Sequence, residues 1–261
     1  MYTLLVSKLA VPEWLFLIVL SAVAGLAELG FVIVNISSLP MLLEQGLGLA
    51  SLPGIAMAIF YTAEAVGNSP MGALADRVGR RRMMFLGAML SVFTSLGTAF
   101  IPLKDVGNGV AIPLLLVMRA LDGIGASMLW PSVFASIGDR CAPERQARAM
   151  TVLNTTYLAG IAIGPYCAGL VNDKFGAKFT LAQPEHYNPS FYLAGGCFLL
   201  AAVFGYLVAP GKADTHKRPE GHEAGSAFSI DALKRTWKRI PMVMLLGFVI
   251  FLAVGLIGPY V

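Results

Sequence analysis

Gly72-Ala73-Leu74-Ala75-Asp76-Arg77-Val78-Gly79-Arg80-Arg81-Arg82 lies between two apolar stretches, Leu52–Met71 and Met83–Ile101. An apolar run of about 17–25 residues suffices to cross a bilayer as a helix, so these eleven residues, four of them arginine, read as a short loop at a membrane surface. Asp76 and Arg80 are four apart and can pair across one helical turn. Gly72 permits a close helix contact and Gly79 a tight reversal. A merely basic loop would account for the arginines but not for an aspartate and two glycines at these spacings.

Outward from this loop, five further apolar stretches recur: Trp14–Val34, Ile112–Ile137, Ala149–Val171, Phe191–Val208 and Pro241–Val261. With the first two they predict seven spans, an all-α polytopic membrane protein. Composition agrees. Of 261 residues 57% are hydrophobic and 13% charged, where soluble domains carry roughly 25% charge. This excludes a soluble enzyme. Unbroken apolar runs also exclude the alternating strands of an outer-membrane barrel. Three cysteines without paired spacing argue against a disulfide framework or a cysteine metal site, and no metal or cofactor is expected.

Of the 19 Lys and Arg residues, 15 fall on one side of the predicted spans: Lys8, the loop arginines, Arg140, Arg145, Arg148 and those between Lys212 and Arg239. The other side holds Lys104, Lys174 and Lys178, and Arg119 lies within a span. The positive-inside rule then puts the N-terminus in the cytoplasm of a cell-membrane protein. The net charge of +4 thus reports topology, and no nucleic-acid partner is expected. Ala22-Val23-Ala24 imitates a signal-peptidase site, but the apolar run continues to Val34, and cleavage would reverse the charge-consistent topology.

Three regions follow: residues 1–209, a six-helix half; 210–240, a cytoplasmic linker; and 241–261, a seventh span that starts a missing second half. In the linker, Ile230, Leu233, Trp237 and Ile240 stand at helical spacing, with basic residues mostly off that stripe. This describes a short amphipathic helix on the cytoplasmic leaflet or a solvated connector.

Ionisable residues inside apolar spans are costly and point to helix contacts or a wet cavity. Ser21, Glu28 and Asn35 repeat every seven residues on one face of the first span. Tyr61, Glu64 and Asn68 share a face of the second, and Asn154 and Tyr157 form a weaker stripe in the fifth. Arg119 and Asp122, three apart, can neutralise each other. They could be an internal pair locking helices, or part of a polar cavity where a carboxylate binds a cation or exchanges a proton. A carboxyl in a low-dielectric site can load and unload protons near neutral pH, and Glu28 and Glu64 are the candidates. Small residues at four-residue spacing (Gly87, Ser91, Ser95; Gly123, Ser127; Gly160, Gly164, Ala168) suit close helix packing. Pro165 should bend or loosen the fifth span.

The loop at Gly72–Arg82 resembles, at every defined position, the cytoplasmic-loop motif G-x-x-x-D-R-x-G-R-R of the major facilitator superfamily; Gly72, Asp76, Arg77, Gly79, Arg80 and Arg81 carry it. The run from Leu115 through Arg119 and Asp122 to Ala126 resembles the family's fourth-helix motif, in which Gln is commoner than Asp122. Gly160, Gly164, Pro165 and Gly169 are similar to the fifth-helix motif of drug/proton antiporters, with Ala168 and Thr151 standing where that motif has glycines. Pro143, Arg145 and Arg148 look like the family's fourth-to-fifth connection, and Leu39-Pro40 like the end of its first helix.

The resemblance covers Trp14–Val208. It implies a six-helix half of a transporter that rocks between two access states, with a small-molecule substrate near the midplane. It further implies a conformational latch at Asp76, proton transfer at Arg119 and proton-driven efflux. Since the family pairs two six-helix repeats, 261 residues suggest a truncated chain. The expected function is proton-coupled efflux. Uptake or facilitated exchange of a metabolite is the alternative within transport, and a seven-helix receptor the alternative outside it. No nucleophile pair or metal spacing inside a span suggests an enzyme.

Overall fold

The computed structural model describes residues 12–46, 48–101, 109–179 and 188–209. The predicted linker, amphipathic helix and seventh span, together with Lys8, Lys104 and the three histidines, lie outside these residues. No strand occurs among those described.

Six long helices make up most of the described residues. α1 (Glu13–Val32) continues without interruption through a π-helical turn (Ile33–Ser38), a short α segment (Leu39–Met41) and a second π turn (Leu42–Gly46). Then come α2 (Leu52–Val78), α3 (Arg80–Phe100), α4 (Ala111–Arg140), α5 (Pro143–Phe179) and α6 (Asn188–Val208). Among the described residues four stretches are long and apolar enough to cross a bilayer: Glu13–Glu44, Arg80–Phe100, Ala111–Arg140 and Asn188–Val208. The more polar α2 and α5 have 27 and 37 residues, roughly 40 and 55 Å at 1.5 Å per residue.

Three boundaries differ from the sequence reading for physical reasons. The first helix runs beyond Val34 because the π turn accommodates Pro40, which has no N–H to continue an α ladder; the Leu39 N–H reaches back five residues to the Val34 carbonyl. α5 begins at Pro143, where the missing N–H costs nothing in a first turn. It then passes through Pro165 as one uninterrupted helix.

Apart from α3 with α4, the main packing partners are not neighbours in sequence. The extensive contacts are α2 with α4, α3 with α4, α3 with α6, α1 with α5 and α1 with α6. Exchanging α1, α2 and α3 for α4, α5 and α6 maps these contacts onto themselves, the signature of two three-helix repeats within one bundle. Two glycines let helix backbones approach closely. A Cβ at Gly123 of α4 would collide with the Phe60 carbonyl oxygen of α2, and one at Gly160 of α5 would lie 2.9 Å from the Gly25 carbonyl oxygen of α1. Both approaches occur beside an acidic residue: the Gly123 position faces the Glu64 backbone and the Gly160 position faces the Glu28 Cβ.

Candidate functional site

Two polar constellations sit within the bundle, and α1 belongs to both. The first surrounds Arg119 of α4, whose side chain is 0% exposed, and Asp122, 1% exposed. Three residues apart on one helix face, their side chains meet at 3.2 Å, Nη1 to Oδ2. Arg119 Nη1 also donates to Asn35 Oδ1 at 3.3 Å, and Nη2 donates to Thr98 Oγ1 at 2.8 Å. The Thr98 hydroxyl passes its own proton to the Thr94 carbonyl at 2.7 Å, and the Thr94 hydroxyl lies 2.9 Å from Asp122 Oδ1. Asn35 Nδ2 donates back to the Phe31 carbonyl at 3.1 Å. Helices α1, α3 and α4 are therefore tied by one buried network in which a cation and an anion neutralise each other. Such a pair is tolerable in low dielectric only when further hydrogen bonds satisfy it.

The second constellation is a cavity of about 60 Å³ between α1, α2, α4 and α5, room for a few waters. Glu28, Phe31, Val32, Asn35 and Ile36 line it from α1 and its π continuation; Phe60, Tyr61 and Glu64 from α2; Trp130 from α4; and Tyr157 from α5. Helical periodicity explains the convergence, since Glu28 and Asn35 are seven apart and Tyr61 and Glu64 three apart. Tyr157 and Glu28 line the cavity together. Aromatic rings brace the walls: Phe31 meets Phe60 at 5.6 Å and Phe198 at 4.7 Å, and Trp130 meets Tyr157 edge-on at 5.3 Å. Among the described residues no basic side chain pairs with Glu28 or Glu64. Arg119 gives both its Nη groups to the other constellation.

Asn35 is the one side chain that both lines the cavity and bonds Arg119. It lies in the π turn. Asn154, expected on the Tyr157 stripe, is exposed and does not line the cavity, as is Asn68. Among the described residues no group of His, Cys, Asp and Glu is arranged to hold a metal ion.

At the arginine-rich end, Arg80 Nη1 meets Asp76 Oδ1 at 2.6 Å, as their spacing predicts, and its Nε meets Asp139 Oδ2 of α4 at 3.1 Å. Asp139 thus closes a three-residue bridge between α2, α3 and α4. Gly79 has φ of 106°, which allows the reversal from α2 to α3. Gly72 differs from expectation: a Cβ there would meet Pro131 at an ordinary 3.7 Å, so packing does not demand glycine. Arg77 and Asp76 are exposed. Of the fifth-helix motif, Gly160 and Gly164 pack on α1, against the Gly25 carbonyl and Val32, whereas Gly169 has open space beside it.

Thr94, Thr98 and Asp139 were not singled out from the sequence. Thr94 and Thr98 follow Ser91 at helical spacing, a polar stripe that reads as small-residue packing when only the serines are counted. Asp139 ends a span beside Arg140 and carries no signal of its own.

Comparison with known proteins agrees with this architecture. The sequence model of the Major Facilitator Superfamily matches residues 20–261. The multi-drug resistance efflux pump PmrA of Streptococcus pneumoniae is 28% identical over 169 residues, covering 63% of this chain and 38% of that protein. Multidrug resistance protein 2 of Bacillus subtilis is 26% identical over 188 residues, 71% of this chain and 42% of that protein. The methyl viologen resistance protein SmvA of Salmonella typhimurium is 32% identical over 118 residues, 44% and 22%. The solved proton:xylose symporter XylE shares the fold with a TM-score of 0.57 at 19% identity, covering 76% of this chain and 45% of that one. The chain thus spans less than half the length of these proteins.

Proposed function

The chain belongs to the major facilitator superfamily, and from that premise we propose that it supplies the substrate-side half of a small-molecule transporter that exports its cargo in exchange for protons. On this reading residues 1–209 carry the six-helix half, 210–240 the cytoplasmic linker and 241–261 a seventh span. Alternating access in this family needs an element that holds each state and a group whose charge changes between them.

The single observation that carries the reading is the cavity between α1, α2, α4 and α5, where Glu28 and Glu64 converge without a basic partner among the described residues. Two acids in a small enclosure cannot both stay ionised cheaply, so they bind either protons or a cationic substrate. Competition between the two for one site is the simplest coupling of outward cargo to inward protons. The tyrosines, Trp130 and Phe60 offer flat faces to an organic cation. Arg119 and Asp122 act beside this site, fixing α1 through Asn35, so that a change at Glu28 is felt where α3 and α4 meet. The Asp76–Arg80–Asp139 bridge is the latch, in a cell membrane with the N-terminus cytoplasmic.

The test uses the chain assembled with its second half in proteoliposomes, with methyl viologen as the probe. Glu28→Gln and Glu64→Gln should each weaken the dependence of flux on an imposed pH gradient, and the double variant should remove it. Undiminished dependence in the double variant sinks the assignment. Asp76→Asn should cripple flux while membrane insertion persists; unchanged flux would end the latch role.

A further inference from the structure

Three consecutive arginines open α3, and the fold uses them differently. Arg80 is spent on two carboxylates, Asp76 and Asp139. Arg81 donates from Nε to the Ala209 carbonyl at the end of α6, at 3.0 Å, and lies over the Tyr206 ring, 5.6 Å from its centroid. Phe85 meets the same ring edge-on at 5.5 Å. The guanidinium is thus held as a planar fork at the α3–α6 seam, and no described residue takes its Nη groups. Arg82 is exposed and has no partner among the described residues.

Below these arginines the two helices turn apolar faces outward. Arg82 heads a stripe on α3 that continues with Leu86, 47% exposed, and with Phe93 and Phe100, each 58% exposed; the spacings of four, seven and seven keep it on one face. Beside it α6 exposes Val203, Tyr206 and Leu207, at 42%, 49% and 63%. Two cations with no acid partner among the described residues, one pre-oriented by an aromatic ring, therefore cap a continuous apolar wall. That is the complement of a phospholipid bearing net negative charge: acyl chains along the wall, phosphate oxygens at the fork.

We propose that the seam between α3 and α6, headed by Arg81 and Arg82, binds the headgroup of an anionic phospholipid. The site lies on the outer face of the bundle and shares no residue with the cavity, so it stands or falls independently of the transport reading. A zwitterionic headgroup brings its own ammonium among the arginines and is disfavoured.

The test is native mass spectrometry of the 261-residue chain purified with an equimolar mixture of phosphatidylglycerol and phosphatidylcholine. The wild-type chain should retain phosphatidylglycerol preferentially, by about fivefold for each arginine engaged. Arg82→Gln should cut that preference by about fivefold, and Arg82→Lys should keep most of it. Arg148→Gln removes an exposed arginine of α5 and should leave the preference unchanged. Absence of a preference in the wild-type chain overturns the proposal. So does an Arg148→Gln loss equal to that of Arg82→Gln, which would mean a diffuse surface charge in place of a site. Because Arg82 makes no contact within the described fold, its replacement should not lower the melting temperature in phosphatidylcholine alone.

Discussion

The Arg119 network and the Glu28–Glu64 cavity both place carboxyls inside the bundle and share Asn35, yet they resolve buried charge in opposite ways. Around Arg119 every ionised group meets its counter-charge, and threonine and asparagine take further bonds, leaving Arg119 Nε without a hydrogen-bond partner among the described residues. In the cavity two carboxyls face each other and two tyrosines, with no cation from the described residues. A closed network holds helices in place, whereas an open one leaves room for something to arrive. On the proposed reading, buried charge in this bundle is structural or functional according to whether its partner comes from the chain.

The contrast makes graded demands on variants, each read as thermal unfolding of the detergent-purified chain. Asp122→Leu strands the Arg119 cation and should destabilise the bundle by about 3–5 kcal/mol; adding Arg119→Met should recover most of that loss. If the single variant melts normally, the network is not the closed pair described here. Thr98→Val removes one acceptor from a charged donor and should cost about 1.5–3 kcal/mol. Gly123→Ala pushes a methyl against the Phe60 carbonyl and should cost about 1–3 kcal/mol through displacement of α2 from α4. Asp139→Asn weakens a pair whose side chains are 12% and 18% exposed, and about 1 kcal/mol is expected. Smallest should be Glu28→Gln and Glu64→Gln, which keep the shape and break no ion pair, within about 0.5 kcal/mol of the parent. A large loss in either glutamine variant would make the cavity acids structural too and erase the comparison.

How much of this was readable from residues alone follows from what each inference needed. The reversal at Gly79, the Asp76–Arg80 pair and the Arg119–Asp122 pair involve residues at most four apart, so helix geometry sufficed. Glu28 with Asn35, and Tyr61 with Glu64, could each be assigned to one face for the same reason. What periodicity could not supply was which face meets which. The helices pack α2 on α4 and α1 on α5, past their sequence neighbours, and the ties from Arg119 to Thr98 and from Arg80 to Asp139 join residues 21 and 59 apart, beyond the reach of helical spacing. Asn154 shows the converse failure. It stands three residues before Tyr157, yet α5 turns it outward. The π turn at Ile33–Ser38 was hidden as well, because Pro40 alone suggests an ending and not a widened turn that lets the helix continue. Composition identified the solvent and spacing identified the pairs, but the contact pattern decided which acid has a partner.

Infrared difference spectroscopy of the carboxyl stretch across a pH titration tests directly whether the cavity acids exchange protons while Asp122 stays bound to Arg119. Proton exchange in the cavity should give a pH-dependent protonated-carboxyl band that is lost in the Glu28→Gln, Glu64→Gln double variant and kept in Asp122→Asn. A band that survives the double variant and disappears in Asp122→Asn would contradict it.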